Sequence, residues 1–533
     1  MVDTVYVTSR QEWKGHNPTE RENMKLSEKP GRNLAGLALF VAVMLTASLA
    51  LAHNKVVVVP LHGNAGGGTG GSQPLQNVVT VSPQNGDYTD PVTALDAITD
   101  ASSTNPYTVY IGPGVYTLTQ TLIMKSWVSI YGAGISSTIL KFSTVANGVE
   151  GADNSLLSDL TIDSDGTGLA NNVGLSNTST SPLVRNVRIY VHSGSNMHGI
   201  YNTGSFASPV FEHVTVEVNA NGLAAYGLSN WHSGTQARDV RISIDAYAGE
   251  ATGVSNNFGS FCTLERATIL VTGSSSATTL VGIANNDSNS ELSLRQGSVA
   301  LAATGSQTVQ GVNSVSAQSF TAHGLEVGVG NARGVYGYGG KVTLLDTIVT
   351  SESDTGATVL GMEFDQSATV TGRTLSVTAT GMNIVTGIQA ANTTLDLMQT
   401  TIDSTGSTTD CKGIALTAGT GELRGGKITA TSGGQAWGID NDGGTFTVFD
   451  TKISASSSSF SGFGVYSATG GSTEVASGTV YGSSYSIYAP GSPNTGWVKA
   501  LFSELTAAPG GTGNLTCVLT VNGSGTQYPS TCL

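Results

Sequence analysis

A right-handed, single-stranded parallel β-helix with an N-terminal capping helix is the fold class this sequence predicts, on three observations. Polarity comes from Ser, Thr, Asn and 69 glycines rather than from charge, which supplies only 11% of the 533 residues. Short hydroxyl and amide side chains of this kind suit stacked strands and tight turns. A triplet of the form apolar-or-aromatic, Gly, apolar recurs with Gly at 174, 199, 227, 253, 282, 311, 334, 361, 387, 413, 438 and 464. Its spacing of 23 to 29 residues is the length of one solenoid coil. Three residues after the first five of these glycines stand Asn177, Asn202, Asn230, Asn256 and Asn285, which the repeat stacks into an internal amide ladder.

The chain opens with an address. Leu34 to Ala52 is free of charge, follows Lys25, Lys29 and Arg32, and ends in Ala50-Leu51-Ala52, the small-x-small pattern of a signal-peptidase site. Residues 1–52 are therefore read as a signal region, with 1–23 as a mis-assigned start ahead of Met24. Cleavage would leave a chain with no membrane segment, in the extracellular space, at the cell surface or in the periplasm. Residues 53–76, glycine-rich from Gly63 to Gly71, read as a linker.

The solenoid is expected over 77–489. Asp90 is placed to cap a helix with Pro91 at its first position and Val92, Leu95 and Ile98 as its apolar stripe. This helix would cover the open first coil. Between the marker glycines lies a second recurring strand, LLSDLTID, LVRNVRIYV, FEHVTVEV, QARDVRISID and TLERATILV, whose period-2 alternation excludes helical repeats. About 14 coils follow from this count, with the marker triplet read as a turn. Residues 490–533 are expected to form a cap closed by Cys517 and Cys532, while Cys262 and Cys411 fall on coils too far apart to pair and read as buried apolar residues.

The formal charge of -14, from 23 Lys+Arg against 37 Asp+Glu, leaves no basic footprint for nucleic acid. His-x-His, Cys-x-x-Cys and phosphate-loop patterns are absent in any suitable context. Aligning LTID, VRIYV, VTVEV and VRISID places Asp163, Tyr190, Glu217 and Ser243 on one outward row, with Arg188 and Arg241 on the row beside it and Asp245 beyond. Asp163 and Glu217, two coils and ~9.6 Å apart, form a candidate acid–base pair of inverting type. Arg188, Tyr190, Arg241 and Asp245 are candidate sugar contacts, and Trp231, on the turn after a ladder asparagine, is a candidate stacking platform. Calcium is the one cofactor suggested, through the short acidic turns Asp163–Asp165 and Asp440–Asp442, and none is required.

The segment NGDYTDPVTALDAITD followed by TVYIGPGVYTLTQTLIMKSWVSIYGAGISSTIL resembles the opening of pectin methylesterases and other pectin-lyase-like proteins, with Gly114-Val115-Tyr116 and Gly132-Ala133-Gly134 as its key residues. The resemblance covers roughly residues 77–141. It implies the β-helix fold and a polysaccharide ligand. The Gln-Asp-Thr-Leu and Asp-Phe-Ile-Phe-Gly motifs that carry the catalytic aspartates of pectin methylesterases are missing. So are the Asn-Thr-Asp, Asp-Asp and Gly-His-Gly motifs of polygalacturonases and the Trp-x-Asp-His strand of pectate lyases. The expected function is accordingly binding or structural, with extracellular polysaccharide as partner. The alternative is a polysaccharide-active lyase, esterase or glycoside hydrolase using the acidic and arginine-bearing face.

Overall fold

The computed structural model describes residues 77–532 apart from positions 206, 305–307, 331–332, 355–357, 407 and 492–495. The Leu34–Ala52 run, its flanks and the glycine-rich linker lie outside the described residues. Among the described residues, 41 strands wind into a parallel β-helix of about 16 turns, roughly 75 Å long at ~4.8 Å per coil. Every ladder between them is parallel. No helix among them is long and apolar enough to cross a membrane.

Three stacks of strands form the walls. The first begins at Val78–Val81, the second at Gly114–Leu118 and the third at Leu122–Ile123. What the sequence presents as one recurring strand is two. In LVRNVRIYV, Leu183–Arg185 pairs in the first sheet and Arg188–His192 in the second. Between them, Asn186 adopts φ 50°, and the equivalent Asp159, His213, Asp239, Arg266 and Gln296 have φ between 53° and 60°. A single left-handed residue turns the chain through a corner without adding length, so side-chain alternation hides the break. Beside this corner runs a row of alternating charge, Arg185–Glu212–Arg238–Glu265–Arg295. Its ion pairs include Arg185–Glu212 at 2.7 Å and Arg238–Glu265 at 3.1 Å. Such exposed pairs add only about 0.2–1 kcal/mol each, but a slip of one coil would set like charges together.

The marker glycines lie inside third-sheet strands, such as Asn171–Thr178 and Ala224–Trp231, and not at turns. Each is skipped in the pairing register, and the reason is close approach. A Cβ on Gly227 would sit 2.2 Å from Ile242 Cγ2 and 2.6 Å from Gly253 O; on Gly253 it would sit 2.3 Å from Ile269 Cγ2 and 2.5 Å from Gly282 O. The third sheet thus presses directly on the β-branched row Ile189, Val216, Ile242, Ile269 and Val299 of the second, each at most 1% exposed.

The asparagine ladder is present and fully buried. Asn177 Nδ2 donates to Asn202 Oδ1 at 2.8 Å, Asn202 to Asn230 at 2.9 Å, Asn230 to Asn256 at 3.4 Å and Asn256 to Asn285 at 2.9 Å. Asn285 then donates to the Ser319 carbonyl at 2.9 Å. The same column continues as Ser314, Gly337, Phe364, Ala390 and Leu416 before an asparagine returns at Asn441.

The ends are closed differently. A helix, α1 (Pro91–Asp96), has Asp90 as N-cap, accepting from Thr93 N at 2.8 Å, and buries Ala94 and Leu95 in the first coils. Tyr116 inserts its ring into the core and donates to Gly112 O at 3.0 Å. At the other end the strands continue in register past residue 489, through Trp497–Leu501 to Asn514–Val518, and Cys517 is bonded to Cys532. Cys262 and Cys411 are buried and unbridged, and burial pushes both thiols up to about 12.

Gly227→Ala should destabilise the protein by about 1–3 kcal/mol through overpacking, whereas Gly328→Ala, whose Cβ would meet nothing within 4 Å, should be neutral. Chemical denaturation of the two variants beside the parent protein checks this, and equal midpoints would refute the close-approach account.

Candidate functional site

Two outward faces carry chemistry. On the second sheet the expected rows are in register, Asp163, Tyr190, Glu217 and Ser243 on one and Thr161, Arg188, Thr215 and Arg241 on the next; the structure adds Lys141 ahead of Asp163 and sets Asp245 in a further row with Asp165, His192 and Asn219. Asp163 and Glu217 stand two coils apart with Tyr190 between them. Each carboxylate already has a partner. Glu217 pairs with Arg188 at 2.5 Å, and this bond raises the arginine above its ordinary value. Asp163 lies 3.1 Å from His192 Nε2. The guanidinium of Arg188 sits 6.0 Å from the Tyr190 ring centre, and Tyr190 stacks on His192 at 4.9 Å. His192 escapes the sequence reading, although it is two residues beyond Tyr190 and so necessarily on the same side of the strand. Asp245 accepts from Thr272 Oγ1 one coil on.

The two acidic segments read as turns lie at the ends of strands Leu156–Asp165 and Ala436–Asp442, and Asp165 and Asp440 are engaged in the same way. Asp165 accepts from Thr167 N at 3.1 Å and Thr167 Oγ1 at 2.7 Å, which holds its carboxyl below the usual range. Asp440 pairs with Lys412 at 2.6 Å. Among the described residues no three His, Cys, Asp or Glu side chains converge as metal ligands.

The third sheet presents the other face, and its pattern follows from the marker glycine. Because the glycine and the residue after it both point inward, the positions one before and two after it point outward. These two positions, with neighbouring strand ends, carry rings in two stretches of the solenoid. Toward the N-terminus, His198 stacks on Tyr226 at 4.8 Å and 14°, Tyr201 lies edge-on to Trp231 at 6.5 Å, and Trp231 meets Phe258 at 4.6 Å. Trp231 is 40% exposed at its strand end. His198 Nδ1 lies 3.0 Å from Ser229 Oγ, and burial pushes the imidazole down to about 4.

The second group stands eight coils further on, about 38 Å along the axis. Trp437, Phe463 and Tyr485 follow one another in register on one row, and Asp440, Tyr466 and Tyr488 on the next. Tyr466 and Tyr488 are parallel within 6° at 5.6 Å; Trp437 and Phe463 stack at 6.3 Å. Lys412 reaches over the Trp437 ring at 5.2 Å. Together Trp437, Asp440, Asp442, Phe463, Tyr466 and Tyr488 line a shallow concavity of about 410 Å³. Between the two groups, Arg333 pairs with Glu363 at 2.6 Å and lies over Tyr336 at 5.1 Å. Burial raises the Glu363 carboxyl, with Asp365 adding to the effect and Arg333 opposing it. Of all these side chains, sequence reasoning singled out only Trp231, Asp440 and Asp442. The rings at 226, 437 and 463 were visible as the aromatic member of the marker triplet, but a triplet read as a turn gives them no common direction.

Coil, glycine column and closed first coil together define a parallel β-helix, and its N-terminal third is pectin-lyase-like in sequence. Within it, residues 75–234 match the family model described as rhamnogalacturonase A/epimerase, pectate lyase-like. No curated protein matches the chain in sequence. Similar solved structures include a rice weevil pectin methylesterase at 13% identity and TM-score 0.31, covering 46% of this chain and 80% of its own. The catalytic domain of a GH87 α-1,3-glucanase in complex with tetrasaccharides is 12% identical at TM-score 0.34, covering 71% and 67%. The A-module of an Azotobacter vinelandii mannuronan C-5 epimerase is 12% identical at TM-score 0.26, covering 81% and 94%.

His198 supplies a pH test of the ring face. Its folded value lies below the ordinary 6.5, so the unfolded chain takes up the extra proton. Its contribution is therefore present above pH 6.5 and is lost as pH falls toward 4, by on the order of 2–3 kcal/mol. His198→Phe, which keeps the stacking ring, should flatten the fall in melting temperature between pH 6.5 and 4 relative to the parent; an identical slope would contradict the buried neutral imidazole.

Proposed function

We propose that this protein is a secreted or cell-surface polysaccharide-binding β-helix, with the third-sheet face as its glycan-binding surface. The observation that carries the reading is the ring-lined concavity at Trp437, Phe463, Tyr466 and Tyr488. Aromatic rings stacked coil upon coil on a rigid sheet offer an apolar ribbon at low entropic cost, while Asp440 and Asp442 add hydrogen-bond acceptors at the rim. The Leu34–Ala52 run and the Cys517–Cys532 bond support a location outside the cytoplasm. The match of residues 75–234 to a pectate-lyase-like family model favours a glycan over other ligands.

A catalytic second reading has one observation in its favour, the raised carboxyl of Glu363 beside Arg333. Raised carboxyls suit a general acid. The Asp163–Glu217 pair has the two-coil spacing of an inverting site, but Arg188 and His192 occupy its oxygens.

Affinity electrophoresis of the purified protein through gels containing a panel of neutral and acidic polysaccharides tests the binding reading. At least one should retard it, and Tyr466→Ala with Tyr488→Ala should each weaken that retardation about tenfold. No retardation in any gel would sink it. Release of reducing or unsaturated ends that vanishes in Glu363→Gln, or in Asp163→Ala, would replace it with catalysis.

A further inference from the structure

We infer that the C-terminal ring-lined concavity selects glycan segments without carboxylates and disfavours polyuronates. This rests on the reading of the concavity as a glycan site and specifies its ligand class by charge.

Among the described residues, three charged side chains approach the rings: Asp440, Asp442 and Lys412. Lys412 cannot serve as a cationic anchor for an incoming carboxylate. Its ammonium is 2.6 Å from the Asp440 carboxylate and 5.2 Å from the centre of the Trp437 ring, so both its charge and its direction are taken up within the protein. Asp442 lies at the edge of the concavity, exposed, with no cation paired to it among the described residues. The local sum is one uncompensated negative charge facing the ligand, on a chain whose formal charge is -14. The Tyr466 phenol registers the same field. Burial raises it first, and Asp440, Tyr488 and Asp442 then add to the rise.

A polyuronate brings one carboxylate per sugar to this site. With rings ~5–6 Å apart along the axis, a bound strand must bring several of those carboxylates within a Debye length, ~8–10 Å, of Asp442. No Lys or Arg among the described residues lines the concavity to offset that repulsion, and like-charge juxtaposition is a principal way in which interfaces reject wrong partners. An uncharged hexopyranose loses nothing here: its C–H face lies along the stack of Tyr466 and Tyr488 while its hydroxyls donate to the Asp440 and Asp442 oxygens. The contrast with the second sheet is instructive, because there Arg188 sits near the surface and even so is held by Glu217.

The test compares two probes that differ only at C6: a β-1,4-linked hexaglucan, and the same backbone oxidised there to the hexaglucuronate, with salt and Asp442 variants isolating the charge. Titration calorimetry on the full protein at about 20 mM salt should give the neutral probe at least a tenfold lower Kd, narrowing to within about threefold at 0.5 M salt. Asp442→Asn should narrow the gap at low salt, and Asp442→Lys should close or reverse it; both substitutions are at an exposed position. Equal or tighter binding of the glucuronate, or a gap indifferent to Asp442→Asn and to salt, overturns the charge selection while leaving the concavity a glycan site. Failure of both probes, together with no retardation of the protein by any polysaccharide, overturns the site itself and the selection with it.

Discussion

The contact on which this solenoid depends is the absence of a side chain. At each coil from Gly174 to Gly464 the third sheet comes so close to the second that a β-carbon would collide with a Val or Ile methyl, with the carbonyl of the coil above, or with both. Glycine elsewhere costs a strand about 0.5–1 kcal/mol of backbone entropy. Here that loss is offset by contact between two sheets that no spacer separates, so the β-branched row is covered on its inner side by backbone. The asparagine column next to it follows from the same closeness. Amides stacked one coil apart satisfy each other in a space with no room for water, and each buried amide left unpaired would cost about 1–3 kcal/mol.

The ladder also shows where its own pressure relaxes. At its upper end the Asn177 oxygen lies against Gly151, where any Cβ would be 2.0 Å away. In the later coils Phe364, Ala390 and Leu416 fill the column with carbon instead. A column can be polar or apolar, provided that each amide in it finds a partner. Asn441, next to Leu416 in the column, finds its own in the adjoining turn, donating to the Gly444 and Ser472 carbonyls and to Thr473 Oγ1.

Much of the architecture was legible in the residues. The repeat period, the amide column, the cap at Asp90 and the register of Asp163, Tyr190 and Glu217 all follow from regular spacing, which a helix of coils translates directly into position. The one-residue corners did not show, since Asn186 or Arg266 in a left-handed conformation leaves no mark on alternation. The coil count came out at about 14 against about 16 because the last coils lack the marker glycine that made the others countable. The ring face stayed hidden because direction, not identity, decides it. Trp437 and Phe463 look like core residues in a list of apolar positions, and only the inward double step at glycine turns them outward.

Because every coil repeats the same three strands and one corner, position along the axis is independent of what each face displays. An in-frame duplication of one repeat, some 23 to 29 codons, would add a rung whose glycine, β-branched and corner residues fit its neighbours at once. The interval between the Tyr226 and Trp437 ring groups is therefore a heritable length, adjustable one rung at a time without redesign of either group, and related chains can be expected to differ in that interval before they differ in the groups themselves.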